Sequence, residues 1–149
     1  MTRTYVISDF SSPSPHAIGK GETLAAAHRL MRQHRIRHLP VLEGGKLAGI
    51  LSQRDLYFVE TLNGVDPEQV AVEEAMSPEP YIVSRDTPLH TVASEMWKRR
   101  LGSAVVVDGA RVVGVFTATD AMHALAELLE PPPHRPRKRG AAERSPSPR

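Results

Sequence analysis

An offset of 65 residues runs through this chain without a gap. Gly49-Ile50-Leu51-Ser52-Gln53-Arg54-Asp55 and Gly114-Val115-Phe116-Thr117-Ala118-Thr119-Asp120 share the pattern Gly-x-x-Ser/Thr-x-x-Asp at that spacing. The same offset pairs Pro13 with Pro78, Pro15 with Pro80, Leu24 with Leu89 and Met31 with Met96. The chain is therefore two copies of one unit. A unit of about 50 residues would leave a sheet face bare on its own, so two of them should pack together around shared apolar surface.

Each copy reads as short strand, helix, strand, strand, helix. Leu24, Ala27, Met31 and Ile36 fall near helical spacing, as do Leu89, Val92, Met96 and Leu101. Thr23 and Thr87 are candidate N-caps, the second followed by Pro88 at the first helical position, which predicts helices near 23–34 and 87–99. Brief extended segments precede them at 16–18 and 81–83. The runs His38-Leu39-Pro40-Val41-Leu42 and Lys46 to Leu51, joined through Glu43-Gly44-Gly45, predict a hairpin. Ala104 to Val107 and Arg111 to Phe116, joined at Asp108-Gly109, repeat it. Near-continuous apolar strands imply a sheet covered on both faces. Closing helices are predicted from Ser52 to about Leu62 and from Thr117 to about Leu129, with the hydroxyl as cap and Asp55 or Asp120 in the first turn, where the helix dipole favours a carboxylate. The fold class is α/β (α+β): two pseudo-symmetric β-α-β-β-α repeats, 6–64 and 71–130, packed sheet to sheet, followed by a Pro/Arg tail, 131–149, predicted to be disordered.

Composition narrows the function. The 149 residues contain no cysteine, which excludes disulfides, thiolate metal sites and a cysteine nucleophile. No apolar run reaches the roughly 18 residues of a membrane span, and the polar start is unlike a signal peptide, so the expectation is a cytoplasmic protein. The formal charge of +2 divides unevenly. Residues 134–149 hold six basic side chains against Glu143, whereas residues 1–133 hold 13 basic against 16 acidic ones. The basic character therefore belongs to the tail and says little about what the folded part binds. That tail could neutralise nucleic-acid phosphates, but nothing aromatic interleaves it, and a solvated terminus is the favoured reading. His34 and His38 straddle a helix end without a carboxylate in a recognised metal arrangement, so no metal site is expected.

Met76-Ser77-Pro78-x-Pro80, Ile36-Arg37-His38-Leu39-Pro40-Val41 and the two Gly-x-x-Ser/Thr-x-x-Asp elements resemble a tandem pair of cystathionine-β-synthase (CBS) domains, a Bateman module, over residues 6–129. The resemblance implies two clefts between the repeats that accept adenosine-type ligands such as AMP, ADP, ATP or S-adenosylmethionine. It implies further that Asp55 and Asp120 hold ribose hydroxyls beside Ser52 and Thr117. Backbone at Ile18 and Val83, and at the strand entries Arg37-His38-Leu39 and Gly102-Ser103-Ala104, would receive the base. The composite arrangement pairs Asp120 with the Ile18 and Arg37 side, and Asp55 with the Val83 and Ser103 side.

The chemistry is sound on its own terms. An ionised carboxylate accepts from two vicinal hydroxyls at once, and phosphates need donors, which Arg35, Arg37 and His38 supply in the first repeat. The second repeat has Gly102 and Ser103 in place of Arg37 and His38. That difference predicts a tighter nucleotide site at the cleft of Asp120 and Arg37. Ser11-Ser12 stands where the family commonly has Met-Thr.

The expected function is a regulatory adenine-nucleotide module, an energy or metabolite sensor with no obligatory cofactor and no catalysis of its own. The chain has no Gly-x-Ser-x-Gly elbow and no phosphate-cradling glycine loop. The alternative is a dimerisation or scaffold module with degenerate sites. Trp97 and the arc Met122, Leu125, Ala126, Leu128, Leu129 predict a homodimer through outer helix faces.

Overall fold

The computed structural model describes residues 3–14 and 16–133. The expectation of a disordered tail therefore falls largely outside the described residues. The elements are β1 (Ser12–Pro13), β2 (Ile18–Gly19), α1 (Leu24–His34), β3 (His38–Glu43), β4 (Lys46–Ser52), α2 (Gln53–Glu60), β5 (Ile82–Ser84), α3 (Leu89–Arg99), β6 (Ser103–Asp108), β7 (Arg111–Thr117) and α4 (Ala118–Leu129). Single 3-10 turns lie at Ile7–Asp9 and Val72–Glu74. The predicted β-α-β-β-α order is present in both repeats. Among the described residues no helix is long and apolar enough to cross a membrane.

One sheet has the order β2-β3-β4 and the other β1-β7-β6-β5. In each repeat the first strand runs parallel to the second, and the second and third form an antiparallel hairpin. Gly44, Gly45 and Gly109 turn those hairpins with positive φ, where a side chain would be strained. The middle residues of β3, β4, β6 and β7 are buried in unbroken runs of three, the pattern of strands covered on both faces. Leu24, Ala27 and Met31 bury one stripe of α1, and Leu89, Val92 and Met96 the matching stripe of α3.

Two boundaries differ from the sequence expectation. Thr87 does not cap α3. Pro88 takes the cap position with extended backbone and offers no side-chain oxygen, while the Thr87 hydroxyl pairs with Ser84 Oγ at 3.0 Å and its carbonyl accepts from Ile7 N at 2.8 Å. Helix α2 stops at Glu60 rather than Leu62, where the Thr61 hydroxyl donates to the Phe58 carbonyl and closes the last turn.

The repeats are stitched across one another. The lead segment of the first repeat crosses to the second: Ile7 is fully buried with Val83, Val92 and Phe116, and β1 pairs with β7. The lead segment of the second repeat crosses back, so that Val72 is fully buried with Leu24, Leu39 and Leu51, and Ser77 bridges Ile50. Each apolar cluster is thus completed by the other half of the chain. Burying one such side chain stabilises by about 1.5–3 kcal/mol.

The crossing explains the repeated glycine. A Cβ on Gly49 would lie 2.6 Å from the Ser77 carbonyl oxygen, and one on Gly114 would lie 2.8 Å from that of Ser12. No side chain fits where the other repeat's backbone passes so closely.

Candidate functional site

The hydroxyl and carboxylate of each repeated element form a reciprocal cap. Ser52 Oγ accepts from Asp55 N at 3.0 Å while Asp55 Oδ2 accepts from Ser52 N at 3.1 Å. Thr117 and Asp120 make the same pair at 3.2 and 2.9 Å. This is the capping box, with aspartate in the place of the usual glutamate. It satisfies two otherwise unpaired N–H groups and holds each carboxylate in one orientation. One oxygen of each aspartate remains for other partners. Ser12, from the crossing segment, donates its hydroxyl to Asp120 Oδ1 at 2.9 Å. Among the described residues no hydrogen bond reaches Asp55 Oδ1.

Two clefts open at these caps. The first, about 640 Å3, brings Asp55 and Ser52 together with Arg100, Gly102 and Ser103 of the second repeat and with Glu79, Pro80 and Tyr81 from its lead segment. The second, about 340 Å3, sets Asp120 and Thr117 opposite Arg35, Arg37 and His38 of the first repeat, with Ser12, Ser14 and His16 along its edge. Both volumes suit a small organic ligand. Asp55 therefore shares a cleft with Ser103, and Asp120 with Arg37. Ile18, Leu39, Val83 and Ala104 are buried in the apolar clusters, and none of their side chains lines a cleft.

The cations are distributed differently from the sequence expectation. Arg37 and His38 line both clefts. The Asp55 cleft also has Arg54 and Arg100, so the loss of an arginine at Gly102 does not leave it without a phosphate donor. Arg35 and Arg100 follow α1 and α3 in left-handed conformation, φ 53° and 55°, at positions where glycine or asparagine is usual. Each arginine side chain lines one cleft.

His38 is half-buried at the entry of β3. Burial holds its pKa below the ordinary 6.5, with Asp55 and Asp120 pulling it up and Arg37 pushing it down. His16 stacks on His34, ring centroids 3.6 Å apart and planes 16° from parallel. Among the described residues no three His, Asp or Glu side chains are grouped to hold a metal.

Sequence reasoning missed Ser12, His16 and Arg54, whereas Arg100 is one of the basic residues Lys98, Arg99 and Arg100 that the sequence leaves just before Gly102. The first two arrive through the crossing, which no local pattern announces. Arg100 carried a readable signal, because it aligns with Arg35 at the repeat offset.

Comparison with known proteins agrees with this arrangement. The CBS domain family model matches residues 7–59 and again 72–127. The chain is 31% identical over 121 residues to an inosine-5'-monophosphate dehydrogenase of Korarchaeum cryptofilum, covering 80% of this chain but only 23% of that enzyme. It is 28% identical over 120 residues to hypoxic response protein 1 of Mycobacterium tuberculosis, covering 80% of this chain and 84% of that protein. Among solved structures, it is similar to the CBS domain pair of protein MJ0100 in complex with 5'-methylthioadenosine and S-adenosyl-L-methionine. That likeness has 26% identity and a TM-score of 0.76 over 85% of this chain and 99% of the other.

Proposed function

The chain belongs to the CBS domain family, and from that premise we propose that it is a regulatory module that binds adenosine ligands in the two clefts and acts as a sensor, without catalysis of its own. One observation carries the reading: each capping-box carboxylate opens into a cleft whose far wall is the helix end and strand entry of the other repeat. A carboxylate so oriented can accept from vicinal ribose hydroxyls, at Asp55 through an oxygen with no other partner among the described residues and at Asp120 through one that Ser12 shares. The arginines around it suit a phosphorylated adenosine better than a cationic ligand such as S-adenosylmethionine.

A ligand bridging both repeats would bias their relative placement, which is how binding becomes a signal to a partner protein. The module is read as a homodimer, in which an apolar helix face of the second repeat meets a second copy. Calorimetry with AMP, ADP, ATP and S-adenosylmethionine tests the ligand reading. Asp55→Ala and Asp120→Ala should each weaken one cleft by about 1.5–3 kcal/mol, roughly 10- to 150-fold. Absence of heat with every adenosine compound would refute it.

A further inference from the structure

We propose that Arg37 is a single phosphate ligand shared by the two clefts, so that anionic adenosine ligands fill them with negative cooperativity while uncharged adenosine fills them independently. The proposal rests on the ligand reading above and adds a coupling that the pseudo-symmetry of the chain does not by itself contain.

Arg37 is exposed, lies at the entry of β3 and lines both clefts. Its backbone is held at the start of α2, where its carbonyl accepts from Gln53 N at 2.8 Å, close to the Asp55 capping box. Its side chain can therefore serve the Asp55 cleft of its own repeat or turn to the Asp120 cleft. The matching position in the second repeat makes the same backbone bond, Ala118 N to the Gly102 carbonyl at 3.0 Å, but carries no side chain. A symmetric pair would place one arginine at each strand entry; this chain has one strand-entry arginine for two clefts, with Arg35 beside it in the Asp120 cleft and Arg54 and Arg100 in the Asp55 cleft. A guanidinium engaged by a phosphate in a bidentate pair is not available to a second phosphate elsewhere. The second anion also enters beside the charge of the first, whereas adenosine makes no demand on Arg37.

The test is calorimetry of the full chain with ATP and with adenosine. In the unaltered protein two ATP constants at least about 10-fold apart are expected, and two adenosine constants within about 4-fold. Asp55→Ala and Asp120→Ala separate sharing from a built-in difference between the clefts. If Arg37 is shared, each variant leaves one cleft with sole use of it, and both variants bind their remaining ATP about as tightly as the first ATP of the unaltered protein. If the clefts are merely unequal, one variant keeps the tight site and the other keeps the weak one, and the proposal fails.

Gly102→Arg gives the converse. A side chain there meets no atom within 4 Å at its Cβ, and the backbone is not left-handed, so an arginine fits without strain. It should draw the two ATP constants within about 4-fold of each other. Equal ATP constants in the unaltered protein would overturn the sharing alone. Absence of heat with ATP and adenosine alike would instead remove the ligand reading on which it rests.

Discussion

His38 occupies the point where the electrostatics of the two clefts meet. Its imidazole is held neutral chiefly by burial, against the pull of Asp55 and Asp120, and Arg37 beside it acts in the same direction as burial. For a histidine whose folded-state pKa lies below its unfolded value, the sign is definite. The stability linked to neutral His38 is complete above about pH 6.5 and declines as the pH falls toward the folded value, because the unfolded chain takes up the proton first. A phosphate brought into either cleft reverses the local balance, since a nearby anion favours the imidazolium. Binding of ATP near pH 6 should therefore take up a proton. Calorimetry in two buffers of different ionisation enthalpy measures that uptake directly, and His38→Asn should remove most of it. An uptake unchanged by that substitution would show that the proton does not go to His38.

At the scale of elements, most local signals were legible and the crossing of the lead segments was not. The caps Ser52 and Thr117 were legible because a hydroxyl followed three residues later by a carboxylate satisfies helix N–H groups within the same turn. The buried stripes of α1 and α3 were legible because a 3.6-residue period needs no knowledge of what it packs against. Thr87 misled because Pro88, extended rather than helical, moved the cap position one residue on. The repeated glycine was visible, but its reason was not, since the backbone that excludes a Cβ arrives from the other repeat. The helix faces are the remaining element-scale feature. His90, Ala93 and Trp97 share a stripe of α3, and Met122, Leu125 and Leu129 a stripe of α4. Between these helices runs an apolar groove of about 420 Å3, lined by Leu89, Ala93, Ala124, Leu125 and Leu128 among others. Trp97 is 79% exposed and Leu129 71%. The same place in the first repeat is polar, with His28 and Glu60 paired across α1 and α2. A second copy should therefore dock on the α3–α4 face. Trp97→Glu, which would place a desolvated charge in that interface, should shift sedimentation toward the monomer. A monomeric mass for both proteins would exclude the dimer.

At the scale of the whole molecule, the crossed lead segments decide how stability is shared. If each repeat held its own core, the chain would unfold in two steps and a core substitution would move only one of them. Ile7 belongs by sequence to the first repeat and by packing to the second, and Val72 is its counterpart in the opposite sense. The backbone repeats the exchange: Ile7 N donates to the Thr87 carbonyl at 2.8 Å, and Val72 N to the Glu22 carbonyl at 2.7 Å. Unfolding either half therefore withdraws a fully buried side chain and a set of hydrogen bonds from the other. One calorimetric transition is expected, with its measured enthalpy equal to the van't Hoff value. Ile7→Ala and Val72→Ala each leave a cavity in a cluster that the far repeat closes. A large-to-small change of the Ile7 kind costs about 2–5 kcal/mol, and the smaller valine should fall toward the lower end. At about 2–8 °C per kcal/mol for domains near this size, both should lower the single transition by several degrees without splitting it. Two resolved transitions, with Ile7→Ala moving only the one assigned to the second repeat, would show that the stitching does not couple the halves.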